Sequence, residues 1–164
     1  MVKLRVERVV SADRERVCDL ASVAHGESLF SEIAFSKEKF FRAFDNTLQE
    51  PNTYLGLKAS FGDQIVGFCY ALVGGYYIGE GAKIVTVISI STSPEIRTRI
   101  LGGKAALRLT RGIEIWAKGM GASYVLYHAT SCTNPISCTN PIRSDRFFRK
   151  LGMTTLGGNY GVRL

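Results

Sequence analysis

Between residues 53 and 92 three runs rich in β-branched and aromatic residues follow one another with almost no chain between them. They are TYLGLKAS at 53–60, QIVGFCYALVGGYYIG at 64–79 and AKIVTVISIST at 82–92. Gly62 and Asp63 form a tight turn between the first two, and glycines separate the second from the third. Connections this short join antiparallel neighbours, because a parallel pair needs a crossover of about a dozen residues or more. The middle of the chain is therefore predicted to be an antiparallel meander, and the other elements must cover its faces.

Residues 4–10 place Leu4, Val6, Val9 and Val10 among charges in near alternation, which predicts a further strand. Ser11 offers an N-cap to a helix over 13–29, with Val17, Leu20, Ala21 and Ala24 at helical spacing and Asp13 and Glu15 in its first turn. A second helix spans 36–49, where Phe40, Phe41, Phe44 and Leu48 build an apolar face read as core, and Pro51 bars continuation. Pro94 closes the meander. A third helix follows over 103–120 on the stripe Ala106, Leu109, Ile113, Trp116 and Ala117, ending at Gly119 and Gly121. Then come a strand at 123–131, a short helix at 144–152 and a terminal strand or hairpin at 153–164. The hexapeptide SCTNPI at 131–136 is repeated at 137–142, too short for a solenoid and composed like a loop. With 164 residues, the chain is expected to be a single α/β domain over 1–164.

Charge narrows the partners. Lys and Arg number 21 against 14 Asp and Glu, a formal +7 that favours an anion, whether phosphate-rich cofactor, nucleic acid or lipid headgroup. The start, MVKLRVERVV, has no uninterrupted apolar stretch, and no later run approaches a membrane span, so a soluble cytoplasmic protein without membrane association is expected. Cys18, Cys69, Cys132 and Cys138 form no CxxC pair and have no adjacent histidine, so neither a metal site nor a disulfide framework is expected.

The segment PEIRTRILGGK at 94–104 carries the most chemistry. A β-rich run ends at a proline, passes a turn holding Arg97 and Arg99, and opens a helix near Gly102. A helix start presents unpaired N–H groups and a positive dipole end, and glycine lets a phosphate approach the backbone. Lys104, Arg108 and Arg111 add a basic strip on one helix face; a solvated cationic face fits those three residues equally well.

PEIRTRILG resembles, without a gap, the PEYRGKGIG-like stretch of the GCN5-related N-acetyltransferases (GNAT superfamily), coinciding at Pro94, Glu95, Arg97 and Gly102. GDQIVGF at 62–68 is similar to that family's second hairpin, and RFFRKLGM at 146–153 to its closing helix and strand. The element order matches along nearly the whole chain. The resemblance implies a mixed, largely antiparallel sheet of six or seven strands with helices on both faces and strands 4 and 5 splayed. It implies acetyl-coenzyme A (acetyl-CoA) as co-substrate and a primary amine as acceptor, and it leaves a homodimer open. The pyrophosphate would lie on the main chain of Thr98, Arg99, Ile100, Leu101, Gly102 and Gly103, beside Arg97 and Lys104. The pantetheine arm would pair with the fourth strand at Ile90, Ser91 and Thr92, bordered by Ser89, and Asn134 or Asn140 would contact it. A main-chain N–H of that strand would polarise the acetyl carbonyl.

Two positions depart from the family pattern: Ile100 stands at the first motif glycine, and Phe148 at the tyrosine that protonates the departing thiolate. No carboxylate occupies the fourth-strand position of the family's base, which is near Thr86. His128, late in the strand flanking the cleft, is the candidate base, with Glu27, Glu32 and Glu80 behind it. Tyr127, and after it Tyr124, offers a hydroxyl in place of the missing acid. A packed or solvated role suits each of these side chains as well. Two other functions stay open: an acyl-CoA-binding scaffold of the same fold without turnover, and a basic nucleic-acid-binding module, for which no motif is present.

Overall fold

The structure, a computed structural model, describes residues 3–28, 30–76, 78–128 and 140–156, with the side chains of 140–144 outside that description. Five strands are found there, in the order β1-β2-β3-β4-β5. β1 (Leu4–Arg8), β2 (Tyr54–Phe61), β3 (Gln64–Gly75) and β4 (Lys83–Thr92) pair antiparallel in sequence order, the meander that the β-rich runs predict. β5 (Ala122–Tyr127) pairs parallel to β4, and the intervening helix supplies the crossover that a parallel pair requires. The strand count is lower than the six or seven expected: residues 153–156 are not strand, and the rest of the expected terminal hairpin lies outside the described residues.

The helices are α1 (Arg14–Gly26), α2 (Lys37–Gln49), α3 (Pro94–Arg97), α4 (Ile100–Gly119) and α5 (Asn140–Lys150). α4 buries Ala105, Leu109, Ile113, Trp116 and Ala117 against Leu55, Leu57, Val85 and Val87 of the sheet. α1 and α2 cover the opposite face through Val17, Ala21 and Phe44, meeting Val9 and Phe68. Helices thus lie on both faces.

Several boundaries differ from expectation for local reasons. Ser11 opens a 3-10 turn, Ser11–Asp13, rather than capping α1. Asp13 is buried there; it accepts from the Val10 amide and from Lys58 Nζ at 2.7 and 2.8 Å, which ties the turn to β2. The turn after Pro94 winds into α3, since proline suits a helix's first position, and α4 starts three residues earlier than its apolar stripe suggests. Asn140, read as loop, opens α5. Among the described residues no helix is long and apolar enough to cross a membrane.

Candidate functional site

β4 and β5 pair from Lys83 with Ala122 to Val87 with Tyr127 and no further. Ile88 to Thr92 therefore keep β3 on one side and, among the described residues, have no strand on the other. Ile88 is the extra residue of a bulge opposite the Tyr70/Ala71 step, and a bulge bends and twists its strand where pairing ends. Pairing between the two strands ends at this point, beside a cleft of about 840 Å³, a volume suited to a small ligand.

One wall comes from the end of β4 and the helix start beyond it. Arg99 is the extended residue before α4, and no side chain caps the helix. The amides of Gly102 and Gly103 turn back to the Arg99 carbonyl at 3.1 and 3.4 Å. The N–H groups of Ile100 and Leu101 are the kind a helix start leaves without an intrahelical acceptor. The two glycines have different causes. A Cβ at Gly102 would stand 2.2 Å from the Ile96 carbonyl oxygen, so α4 approaches α3 this closely only with glycine there. A Cβ at Gly103 would meet nothing within 4 Å, and Gly103 is exposed on the cleft. Ile100 is 79% exposed, and since no non-glycine residue in the described chain has a positive φ, the backbone does not demand glycine at that position.

Arg97 fastens this wall. Its guanidinium donates to the Thr92 carbonyl at 3.0 Å and pairs with Glu27 Oε2 at 2.6 Å, joining the α3 turn to the end of α1. Lys104 is exposed beside Gly103, whereas Arg108 donates to the Leu4 carbonyl of β1, so the basic strip runs away from the cleft toward the sheet edge.

Where the β4–β5 pairing ends, Tyr127 packs its ring on Phe148 at 4.9 Å between centroids, and Phe147 meets Phe148 at 5.4 Å. The Tyr127 hydroxyl is buried and has no hydrogen-bond partner among the described residues. Burial, followed by the charge of Glu114, raises its pKa well above the ordinary tyrosine value. Cys69 also borders the cleft, and burial pushes its thiol up to about 12, which leaves it a poor nucleophile at neutral pH. His128, exposed just past β5, stands at the same opening.

The facing wall belongs to α1, α2 and the chain between them. Phe35 and Phe40 line it with Tyr70 from β3, whose phenol burial also raises. His25, which pattern reading passes over, is there too; its Nε2 donates to the Ile33 carbonyl at 2.6 Å and its ring packs on Phe35. The available signal was its place beside Ala24 on the apolar stripe, two residues before Glu27.

Of the residues singled out from the sequence, Ile90, Ser91, Thr92, Arg97, Gly102, Gly103, Tyr127 and His128 border this one cleft. Thr98, Arg99, Ile100, Leu101 and Lys104 form the adjoining turn and helix start. Glu27 borders the cleft as the partner of Arg97, while Glu32, Glu80 and Tyr124 are not part of its lining. The side chain of Asn140, and Cys132, Asn134 and Cys138 entirely, lie outside the described residues. No group of three or more His, Cys, Asp or Glu among the described residues could hold a metal ion.

The chain's own groups fit an acyl-coenzyme A. A strand edge unpaired among the described residues suits an amide-bearing arm, and an open helix start with an exposed glycine suits a diphosphate. No protein-family model matches the chain, and no curated protein matches it in sequence. Among solved structures it is similar to an aminoglycoside N-acetyltransferase in complex with CoA, at TM-score 0.74 and 14% identity over 100% of this chain and 96% of that one. It is similar to glucosamine-6-phosphate N-acetyltransferase from Arabidopsis thaliana, at 0.68 and 13% over 98% of each chain. It is also similar to a transcriptional regulator from Bacillus halodurans C-125, at 0.73 and 16% over 99% and 100%. The fold is that of the GCN5-related N-acetyltransferases.

Proposed function

We propose that this chain, with its acetyltransferase fold as premise, transfers an acetyl group directly from acetyl-CoA to a primary amine. The observation that carries the reading is the edge of β4 from Ile88 to Thr92, without a strand partner among the described residues, which leads to the helix start at Ile100 with Gly103 exposed beside it. In this reading the main chain of Ile90, Ser91 and Thr92 pairs with the pantetheine amides as an added strand would. The N–H groups of Ile100 and Leu101 at the start of α4, with the positive charge of Arg99 and Lys104, hold the diphosphate. Arg97 positions that turn through Thr92 and Glu27 rather than by binding phosphate itself. Asn134 or Asn140 is the candidate for a further contact to the arm.

Bound acetyl-CoA supplies an acyl carbon already activated as a thioester. A backbone N–H of β4 beside the bulge stabilises the negative charge that develops on the acyl oxygen. His128 takes a proton from the arriving ammonium and the free amine attacks, so that a carbon–nitrogen bond forms as the carbon–sulfur bond breaks; Tyr127 Oη donates its hydrogen to the departing sulfur, and the second proton of the nitrogen restores the Tyr127 hydroxyl. Among the described residues no acceptor competes for the Tyr127 hydrogen. Tyr127 thus supplies the hydroxyl that its ring neighbour Phe148 lacks.

Calorimetric titration with acetyl-CoA, beside an assay of thiol release on adding amines, tests the reading. Gly103→Glu sets a carboxylate against the diphosphate, a like-charge clash of several kcal/mol, so affinity should fall about 100-fold or more. The same change should leave the melting temperature intact or higher, because glycine costs a helix up to about 1 kcal/mol. Equal affinity of the two proteins, or no binding by either, would overturn the assignment.

A further inference from the structure

The chemistry of the facing wall goes further than the transferase reading and rests on it. All fourteen Asp and Glu of the chain fall on described residues. Of these Glu27 alone borders the cleft, and its carboxylate is already paired with Arg97 at 2.6 Å. A substrate with several ammonium groups would therefore bring charges into a site whose described lining offers them no free carboxylate, so their desolvation cost is not repaid by an ion pair. The apolar side is the opposite case. Phe30, Ile33 and Ile88 are 53%, 59% and 52% exposed, and all three border this cleft, with Phe35, Phe40 and Tyr70 behind them. Large apolar side chains left exposed together around one opening mark a surface that gains by being covered.

We infer that the acceptor is a monoamine with an aromatic or alkyl body, and not a polycation such as a polyamine or an aminoglycoside. The apolar body displaces water from Phe30, Ile33 and Ile88, while the single amine reaches the β4–β5 opening, where His128 removes its proton. The aminoglycoside enzyme that shares the fold is thus a guide to architecture and not to this pocket's choice.

The test is steady-state thiol release from acetyl-CoA with 2-phenylethylamine, hexylamine or spermidine, run alongside calorimetry of acetyl-CoA itself. The kcat/KM for 2-phenylethylamine should exceed that for spermidine by about 30-fold or more, the order expected from burying a ring. Ile33→Glu, at an exposed position where the fold tolerates a charge, should narrow that ratio at least about tenfold by giving a second ammonium its partner. Should turnover be slow, affinities of the two amines for the CoA-loaded protein carry the same comparison. Acetyl-CoA binding with spermidine used or bound as well as 2-phenylethylamine would overturn the acceptor inference alone. Failure to bind acetyl-CoA would instead overturn the transferase reading beneath it.

Discussion

The two walls of the cleft are made of different material. The wall from β4 to α4 presents backbone: a strand edge unpaired among the described residues, a helix start and one open glycine. The wall from α1 and α2 presents side chains, chiefly Phe35 and Phe40 with Phe30 and Ile33 at the rim. A backbone wall has a geometry fixed by secondary structure, so it suits a ligand that never changes. A side-chain wall can be rewritten residue by residue without disturbing a hydrogen-bonded element, so it suits the partner that differs between proteins of one fold. Stability is divided along the same line. The α4 face holds the larger buried cluster, while the α1 and α2 face packs a smaller one around the cleft.

The sharpest way to break that comparison is to put a side chain where the backbone wall has no room. Gly102→Val would drive a branched Cβ into the Ile96 carbonyl, 2.2 Å away, and neither partner is a flexible side chain. The expected loss is about 3 kcal/mol or more. At 2–4 °C per kcal/mol for a chain of this size, the melting temperature should drop by roughly 6–12 °C in a thermal scan. A wild-type melting temperature would show that α3 yields easily and that the wall is not rigid.

Tyr127 lies on the seam between the walls, and its substitution should separate chemistry from stability. In Tyr127→Phe a positioned proton donor is lost, so kcat should fall about 100-fold, with acetyl-CoA affinity unchanged. The same protein should melt at a higher temperature, since removing a buried hydroxyl that has no partner relieves about 1 kcal/mol of desolvation. Steady-state kinetics and a melt on one preparation check both signs. Unchanged kcat would assign the proton to solvent and leave Tyr127 a packing residue beside Phe148.

The contrast also governs what the amino-acid order reveals. β2, β3 and β4 are legible because each is a contiguous β-branched run with short connections, and the helix start is legible because PEIRTRILGGK is contiguous too. The facing wall is not, because Phe35, Phe40, Tyr70 and Ile88 come from separate segments and meet only after folding. Phe40 and Phe44 look alike as helix-face residues, yet Phe44 is buried in the core and Phe40 is left half-buried on the cleft. The bulge at Ile88 leaves no mark in its own strand, since the extra residue exists only relative to the register of β3. Glu27 looks like a free acid until Arg97, 70 residues later in the chain, is brought against it.

The smallest effect tests the backbone wall at the one place where its sequence departs from the family pattern. Ile100 occupies the first glycine of that pattern, which would matter if the turn needed glycine's freedom or if the side chain lay over the helix's free amides. Neither condition holds: the backbone there has no positive φ outside glycine, and Ile100 is 79% exposed. Ile100→Gly should therefore change acetyl-CoA affinity less than about threefold, under 1 kcal/mol, and should cost a few tenths of a kcal/mol in helix propensity. A gain of tenfold or more in calorimetry would mean that the isoleucine screens the diphosphate after all, and that a side chain, not only main chain, shapes this wall.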